Sequence, residues 1–277
     1  MDTMLKVCEA YAKQNNLEFS TDPNPVKSKS KCIYMSGNLG RVKPANLQLY
    51  GVDLPWVDTA SHLGNELHWK CTMDQDMKLK RGSFISRSTE VRETFGFAQP
   101  NQVLHAVKTY CFDMYGAMTW PLFSEKAKQV FNSWSTCVKL AWGVPRATHT
   151  YLVDNFLSAG IPSVKASVLA RYLKFYDSVS SSPAIEVRVV ANLAAADIRS
   201  ITGNNLFNLR KATSLDLNKE NMSKARTVLL NMRKEVPVLD SWRIGCLQKF
   251  LNEKFILVAG HQPTDQVDSL IDSLCST

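Results

Sequence analysis

The stretch LPWVDTASHLGNELHWKCTMDQDMKLKR, residues 54–81, contains the change that decides the fold. Before Trp69, short apolar segments alternate with turn residues, a pattern typical of strands and hairpins. From Asp74 onward the apolar residues recur at helical spacing, and this pattern continues to Phe95. We therefore predict an α+β fold that is predominantly α-helical, in which a small antiparallel β front end is followed by a long series of helices.

The front end combines one helix with several short extended segments. Apolar residues between Met4 and Ala12 recur at helical spacing and predict an amphipathic helix. Short apolar runs predict strands at residues 17–19 and 31–35, a hairpin at residues 47–57 and a further extended segment at residues 61–67.

The remainder of the chain has the periodicity of helices separated by glycine, proline and asparagine. Ser124 and Ser163 stand where helix starts are expected. After residues 203–205 the composition becomes more polar. Beyond the helix at 74–95, the predicted helices span residues 101–118, 124–142, 149–157, 163–179, 185–201, 218–235, 241–255 and 264–274.

Composition restricts the class of protein. With 277 residues, 45% of them hydrophobic and 21% charged, the chain is typical of a globular protein. It has no apolar run of eighteen residues, so we expect no membrane partner. Seven cysteines without repeated spacing predict free thiols, and hence an intracellular protein, nuclear or cytoplasmic.

The formal net charge of +8 is spread over the chain, with two denser groups of cations. One group lies at residues 27–43 and the other at residues 78–92. Such groups are often no more than solvated surface, but they also suit an anionic partner. In the first group Lys27 and Lys29 are two residues apart on a chain expected to be extended, which would place them on one face.

Motifs for common catalytic and metal sites are missing from the sequence. His62, His68 and Cys71 lie within ten residues, but no CxxC pair accompanies them, so no metal site is predicted. The nucleophile turn GxSxG and the phosphate-binding patterns GxxxxGK[ST] and GxGxxG do not occur.

Aromatic residues are concentrated between residues 110 and 142. Phe131, Trp134, Val138 and Trp142 follow helical spacing, which favours a packed core face. A platform on which nucleic-acid bases stack is the alternative interpretation of the same residues.

Several stretches, taken in order, resemble the carboxy-terminal part of the reverse transcriptase of a LINE-type (non-LTR) retrotransposon. Their order and spacing are similar to those of the family over about residues 1–210. The stretches are Met4-Leu5, residues 17–23 with Lys27-Ser28-Lys29, Leu54-Pro55-Trp56-Val57 with His62-Leu63-Gly64, Tyr115-Gly116 with Trp120, Trp134, and Trp142-Gly143-Val144-Pro145-Arg146 with Thr148-His149.

The resemblance implies three regions. Residues 1–70 would be the end of the polymerase palm with its primer-grip hairpin, residues 71–160 a helical thumb, and residues 161–277 a helical extension. The catalytic Mg²⁺ ions of the complete enzyme are held by aspartates of a Tyr-x-Asp-Asp turn, which no residue of this chain matches. The resemblance thus implies a truncated RNA-directed DNA polymerase that binds no cofactor, has no catalytic residue and is inactive alone.

The resemblance also implies which residues would bind nucleic acid and nucleotide. His62, Leu63 and Gly64 would form the primer grip, and the thumb cations Lys78, Lys80, Arg81 and Arg87 would contact the RNA–DNA primer–template duplex. Lys27 or Lys29 would be an auxiliary contact to the triphosphate of the dNTP in the complete enzyme, and both fit that position. Beyond that dNTP, no small-molecule partner is expected. Two alternatives remain: a captured, non-enzymatic helical module that binds nucleic acid, and a non-functional helical remnant.

Overall fold

The computed structural model describes residues 2–35, 45–62, 64–146, 157–158 and 160–232. It divides into two compact units, Met1–Leu79 and Lys80–Thr277. The described residues form eight α-helices, one 3₁₀-helix and two separate two-stranded antiparallel sheets. The prediction of a mainly helical chain with a small antiparallel β component is confirmed as a statement of fold class.

The first unit opens on helix α1 (Asp2–Gln14), as predicted. Three of its apolar residues, Met4, Val7 and Tyr11, are each at least 60% exposed, whereas Leu5 and Cys8 are half-buried. Among the described positions of α1, Ala12 is the buried apolar residue, at 1% exposure. The amphipathic stripe that predicts the helix is therefore largely open to solvent.

A hairpin is present within the predicted residues 47–57, as β1 (Gln48–Leu49) and β2 (Val52–Asp53), but its second strand lies in 51–54, where the connection is predicted, and not in 55–57. Tyr50 and Gly51 form its turn, and both have a positive φ, 54° and 72° respectively. Such backbone angles match the right-handed twist of a tight hairpin. A second hairpin follows, β3 (Thr59–His62) and β4 (Asn65–His68), where the sequence predicts one extended segment.

Two predicted strands, at residues 17–19 and 31–35, are wrong. The second segment contributes one isolated parallel bridge, between Cys32 and Trp56. The chain before it is folded into turns by side chains, since Asp22 accepts from the backbone N–H of Asn24 and Asn24 accepts from that of Val26. Such local side-chain hydrogen bonds compete with strand pairing, and the apolar runs are too short to prevent it.

The remaining elements are helices. The division between the two units falls inside the first of them, α2. Ser124, Ser163 and Ser200 cap the starts of α4, α5 and α7, each accepting a hydrogen bond from a backbone N–H in the first turn. The helices are α2 (Asp74–Thr94), α3 (Pro100–Cys111), the 3₁₀-helix (Tyr115–Thr119), α4 (Glu125–Ala141), α5 (Val164–Ser180), α6 (Ile185–Ala196), α7 (Ile201–Thr213) and α8 (Met222–Leu230).

The helices predicted at residues 101–118 and 185–201 are shorter than expected. The first ends at Cys111, before the 3₁₀-helix. The second ends at Ala196, because Asp197 turns its carboxylate onto the backbone N–H of Arg199. Helix α7 then begins, a helix that the sequence does not predict. The helix predicted at 218–235 is present as α8, whereas those at 241–255 and 264–274, and all but the last residue of that at 149–157, lie outside the described residues.

Aromatic side chains form the core of the second unit. Phe112 lies between Phe84 and Trp134, with ring centroids 6.1 and 5.1 Å apart, and it meets Trp134 edge to face. Phe131, Trp134, Val138 and Trp142 are all buried. The packed-face interpretation of these four residues is therefore confirmed, and buried rings are not available for stacking on bases.

A buried asparagine ties α7 to the segment that precedes α4. Asn205 is fully buried and donates through Nδ2 to the carbonyl of Trp120 at 2.9 Å. Its Oδ1 accepts from the backbone N–H of Leu122, also at 2.9 Å. One side chain thus satisfies two buried backbone groups that lie outside regular secondary structure.

The Trp-Gly-Val-Pro-Arg motif, residues 142–146, ends helix α4. Gly143 has a φ of +61°, a left-handed conformation that glycine adopts without strain. The next amide, that of Val144, donates back to the carbonyl of Lys139 at 2.9 Å. This is the hydrogen-bond pattern of a glycine-terminated helix, so the motif has a structural role as a helix stop.

Helix α6 has no buried residue, although its sequence, IEVRVVANLAAA, is strongly apolar. Val190 and Leu193 are about two-thirds exposed, at 65% and 67%. A contiguous apolar surface of this kind is unusual on a monomeric protein.

Among the described residues, no helix is both long enough and apolar enough to cross a membrane. The five described cysteines are all free.

Candidate nucleic-acid interface

The predicted primer grip lies at the end of the second hairpin. Strands β3 and β4 pair from Thr59 opposite His68 to His62 opposite Asn65. His62 and Gly64 are exposed at the closed end of this hairpin, and Gly64 has a φ of +75°. Leu63 lies outside the described residues. The two described residues of the His-Leu-Gly motif are therefore located at the turn end of the hairpin.

An aromatic and a cation lie together at the base of this hairpin. The Nζ atom of Lys70 is 5.2 Å from the centre of the Trp69 ring, a cation–π distance. The imidazole of His68 stacks on the Trp69 ring, with the ring centroids 6.1 Å apart. Trp69 and Lys70 are not among the predicted contact residues, although an aromatic residue beside a lysine directly after a strand is a signal that indicates them.

A buried carboxylate fixes the hairpin to the start of α2. Asp76, 1% exposed, accepts through Oδ1 from the backbone N–H of Glu66 at 3.1 Å. Glu66 lies in β4, whereas Asp76 lies in the first turn of α2. A carboxylate is also favoured at a helix N-terminus by the helix dipole. The position of the hairpin thus depends on this side chain.

We expect Asp76→Ala to lower the free energy of unfolding of the first unit by about 1–3 kcal/mol, because the Glu66 N–H loses its buried acceptor. Asp76→Asn is the matched control, since it keeps an oxygen at the same position. Hydrogen exchange of the Glu66 amide should accelerate in the alanine variant and much less in the asparagine variant. Equal exchange rates in both variants would contradict the conclusion that the Asp76 carboxylate holds the hairpin through the Glu66 amide.

The cations of α2 lie on two flanks of the helix and not on one face. Residues seven apart are separated by about 20° around a helix, so Lys80 and Arg87 share one side. Buried Phe84 marks the face of α2 that is packed against the core. Arg81 and Arg92, which are eleven residues apart, lie on the other side of that face from Lys80 and Arg87. The outermost positions are occupied by Gly82, Ser86, Glu90 and Glu93.

The flank with Lys80 and Arg87 already has partners within the second unit. Lys80 Nζ lies 4.9 Å from the centre of the Tyr115 ring. Arg87 pairs with Asp113 at 3.8 Å, with both side chains about half exposed. Contacts this exposed are weak, but they direct both cations toward the segment after α3.

Arg81 and Arg92, which we name the open flank, make no ion pair with any described residue. Arg81 is exposed and Arg92 is half-buried. Lys78, the remaining predicted contact, is exposed in the first part of α2, before the division between the units. Of the four predicted thumb cations, Lys80 and Arg87 thus have partners within the second unit, whereas Lys78 and Arg81 are exposed. Arg92, which shares the side of Arg81, is not among the predicted contacts.

Lys27 and Lys29 are both exposed, but the chain that carries them is not extended. The backbone N–H of Lys27 donates to the carbonyl of Asn24 at 3.1 Å, which closes a turn. Between the two lysines, Ser28 is buried and its Oγ donates to the carbonyl of Ser30 at 2.6 Å. The expectation that an extended strand places both lysines on one face is therefore wrong.

The described residues contain no group of three or more histidine, cysteine or acidic side chains arranged to hold a metal ion. His62 and His68 lie at opposite ends of the second hairpin, at its turn and at its open end. The first unit thus presents an exposed hairpin turn and an aromatic–cation pair, and the second unit, taken by itself, presents the open flank of α2. No family model, curated protein or solved structure matches this chain.

Proposed function

We propose that this chain is the carboxy-terminal part of a LINE-type reverse transcriptase, and that it binds an RNA–DNA primer–template duplex without polymerising DNA by itself. The observation that carries the proposal is the position of His62 and Gly64 at the turn of a β-hairpin. A hairpin is the structure that the family resemblance implies for this motif, and it supports the identification of a primer grip.

The proposal assigns the open flank of α2 to the phosphate backbone. Arginines recognise phosphate oxygens through a planar fork of donors, and such contacts are largely independent of base sequence. The net charge of +8 would add attraction to any polyanion. Arg81 and Arg92 would therefore contribute affinity and orientation, while the primer-grip turn would contact the end of the primer.

The proposal also accounts for the open surfaces of the first unit. Its strands form two separate pairs, and the apolar residues Met4, Val7 and Tyr11 of α1 are exposed. In a complete polymerase palm, further strands would be expected to cover surfaces of this kind. On this proposal the two hairpins are the last strands of such a palm, and the metal-binding aspartates belong to a part that this chain does not contain.

The test uses the purified chain, a labelled RNA–DNA hybrid and fluorescence anisotropy. We expect a Kd of about 10⁻⁶ M or weaker at physiological salt, with log K falling linearly as log salt concentration rises. With a primed RNA template, dNTPs and Mg²⁺, we expect no nucleotide incorporation, because two-metal stabilisation of the transition state is missing.

Each outcome separates the candidate functions. Salt-sensitive binding without incorporation supports the proposed fragment. Absence of binding to the hybrid at low salt would favour a helical remnant without a nucleic-acid partner. Robust Mg²⁺-dependent extension by the pure chain would overturn the assignment of the catalytic aspartates to another part of the enzyme.

A further inference from the structure

A cavity of about 510 Å³ lies in the second unit, and none of its described lining residues belongs to the candidate nucleic-acid interface. It is enclosed by one face of α4, by the segment that leads into α5, by the first turns of α5, and by the end of α8. Cavities of 300–1,000 Å³ are typical of small-molecule sites. The space is therefore large enough for a small organic ligand.

The walls of the cavity are mainly apolar. Phe131 and Trp134 of α4 face Leu169 of α5, and Ile161 and Leu229 complete the surface. All five side chains are buried. A ligand that fills this space would accordingly present an aliphatic chain or an aromatic ring to it.

One part of the lining carries positive charge. Lys128 and Lys165 line the cavity together with Ser124 and Ser163, the capping residues of α4 and α5. Two helix N-termini, each with the positive end of its dipole, thus meet at the same space. No acidic side chain is present among the described lining residues. Lys128 pairs with Glu125 at 3.3 Å, but at 65% and 81% exposure this contact is weak.

A buried donor without an acceptor is a second, independent feature of the same cavity. Trp134, which lines it, is 1% exposed, and its indole N–H has no hydrogen-bond partner among the described residues. Buried N–H groups are almost always paired in proteins, so an unpaired one marks imperfect packing in this wall. The indole ring lines the cavity, so its N–H signal reports on a ligand bound there.

From these features we propose that the cavity binds a small amphipathic anion, with an apolar body between Phe131 and Leu169 and a carboxylate or phosphate near Lys128 and Lys165. The inference does not depend on the proposed nucleic-acid function. Carboxylate and phosphate share the chemistry that the lining recognises, namely negative charge and acceptor oxygens. They are distinguished by experiment.

The experiment titrates the full chain with dodecanoate, dodecyl phosphate and dodecanol, each below its micelle concentration. Binding is followed by calorimetry and by the indole N–H signals in a ¹H–¹⁵N NMR spectrum, with Trp134→Phe identifying the Trp134 signal. We expect saturable 1:1 binding of at least one anion, at least about 10-fold tighter than binding of dodecanol, with a shift of the Trp134 signal. The tighter of the two anions identifies the head group.

Charge variants test the site without altering its apolar walls. Lys128→Glu combined with Lys165→Glu should weaken anion binding about 10-fold or more and leave dodecanol binding unchanged. Lys174→Glu combined with Lys211→Glu is the matched control, because it changes net charge equally at exposed lysines that do not line the cavity. The control pair should bind the anions as the unmodified chain does.

Three results would overturn the inference. They are no saturable binding of either anion, equal affinity of the Lys128 and Lys165 double variant and the control, or anion binding that leaves the Trp134 indole signal unmoved. If Trp134→Phe fails to fold, the lysine variants still decide the outcome, since their side chains are exposed. Hybrid binding by the same samples is a separate readout, so the two proposals can fail independently.

Discussion

Replacing Asn205 by alanine is expected to lower the free energy of unfolding of the second unit by about 3–5 kcal/mol. Asn205 is the shared partner of the Trp120 carbonyl and the Leu122 amide, both at 2.9 Å. Its removal leaves two buried backbone groups unpaired, at about 1–3 kcal/mol each, and adds a small cavity. Urea denaturation followed by tryptophan fluorescence would measure the loss.

The control for this variant is Asn204→Ala. Asn204 is the preceding residue of α7, and its side chain is exposed. The substitution changes helix propensity in the same way, but it breaks no buried contact, so we expect a change within about 0.5 kcal/mol. If the two alanine variants had similar stabilities, the buried bridge to residues 120–122 would not support the fold as described.

Reversing the open flank, with Arg81→Glu and Arg92→Glu together, should weaken binding to an RNA–DNA hybrid by about 10- to 100-fold at moderate salt. Each phosphate contact that is lost also removes about one unit from the slope of log K against log salt concentration. The double variant should therefore show a slope shallower by about two. Anisotropy titrations at four or more salt concentrations would give both quantities.

Net charge must be separated from position in this experiment. Lys174→Glu with Lys211→Glu lowers the net charge by the same four units at exposed lysines on α5 and α7. We expect this pair to weaken hybrid binding by less than about 3-fold, through long-range attraction alone. Similar losses in both pairs would mean that charge attracts the hybrid without a defined contact on α2.

Lys80 and Arg87 are less suitable for charge reversal. Lys80 contacts the Tyr115 ring and Arg87 pairs with Asp113, so their variants would change internal contacts as well as surface charge. Reduced binding in such variants could come from either cause. Arg81 and Arg92 avoid this difficulty because they form no ion pair with a described residue.

Helical periodicity predicts the long helices of this chain well, because their buried positions are apolar. In α4, Phe131, Trp134 and Val138 occur at the spacing that burial requires, and all three are buried. Helix α7 is different, since the residues at its start are mainly polar and Asn205 fills a core position. A pattern that counts polar residues as surface cannot detect a helix whose core contact is a paired asparagine.

The candidate site shows a similar limit. The His-Leu-Gly motif lies at a turn, because Gly64 adopts a positive φ that favours glycine, and this much is encoded locally. The side of α2 on which each cation lies is decided by Phe84, which packs against Phe112 from a distant part of the chain. Similarly, the strand predicted at residues 31–35 would need a neighbouring strand, and one bridge to Trp56 does not supply it.

Helix α6 has a consequence for how long the protein persists in a cell. None of its residues is buried, so its opening exposes little additional apolar surface. Local opening of such a segment requires less free energy than unfolding of the core around Trp134. Proteases cut at transiently opened segments and chaperones bind exposed apolar ones. The half-life of the chain would then follow the opening of residues 185–196, whatever the stability of the rest.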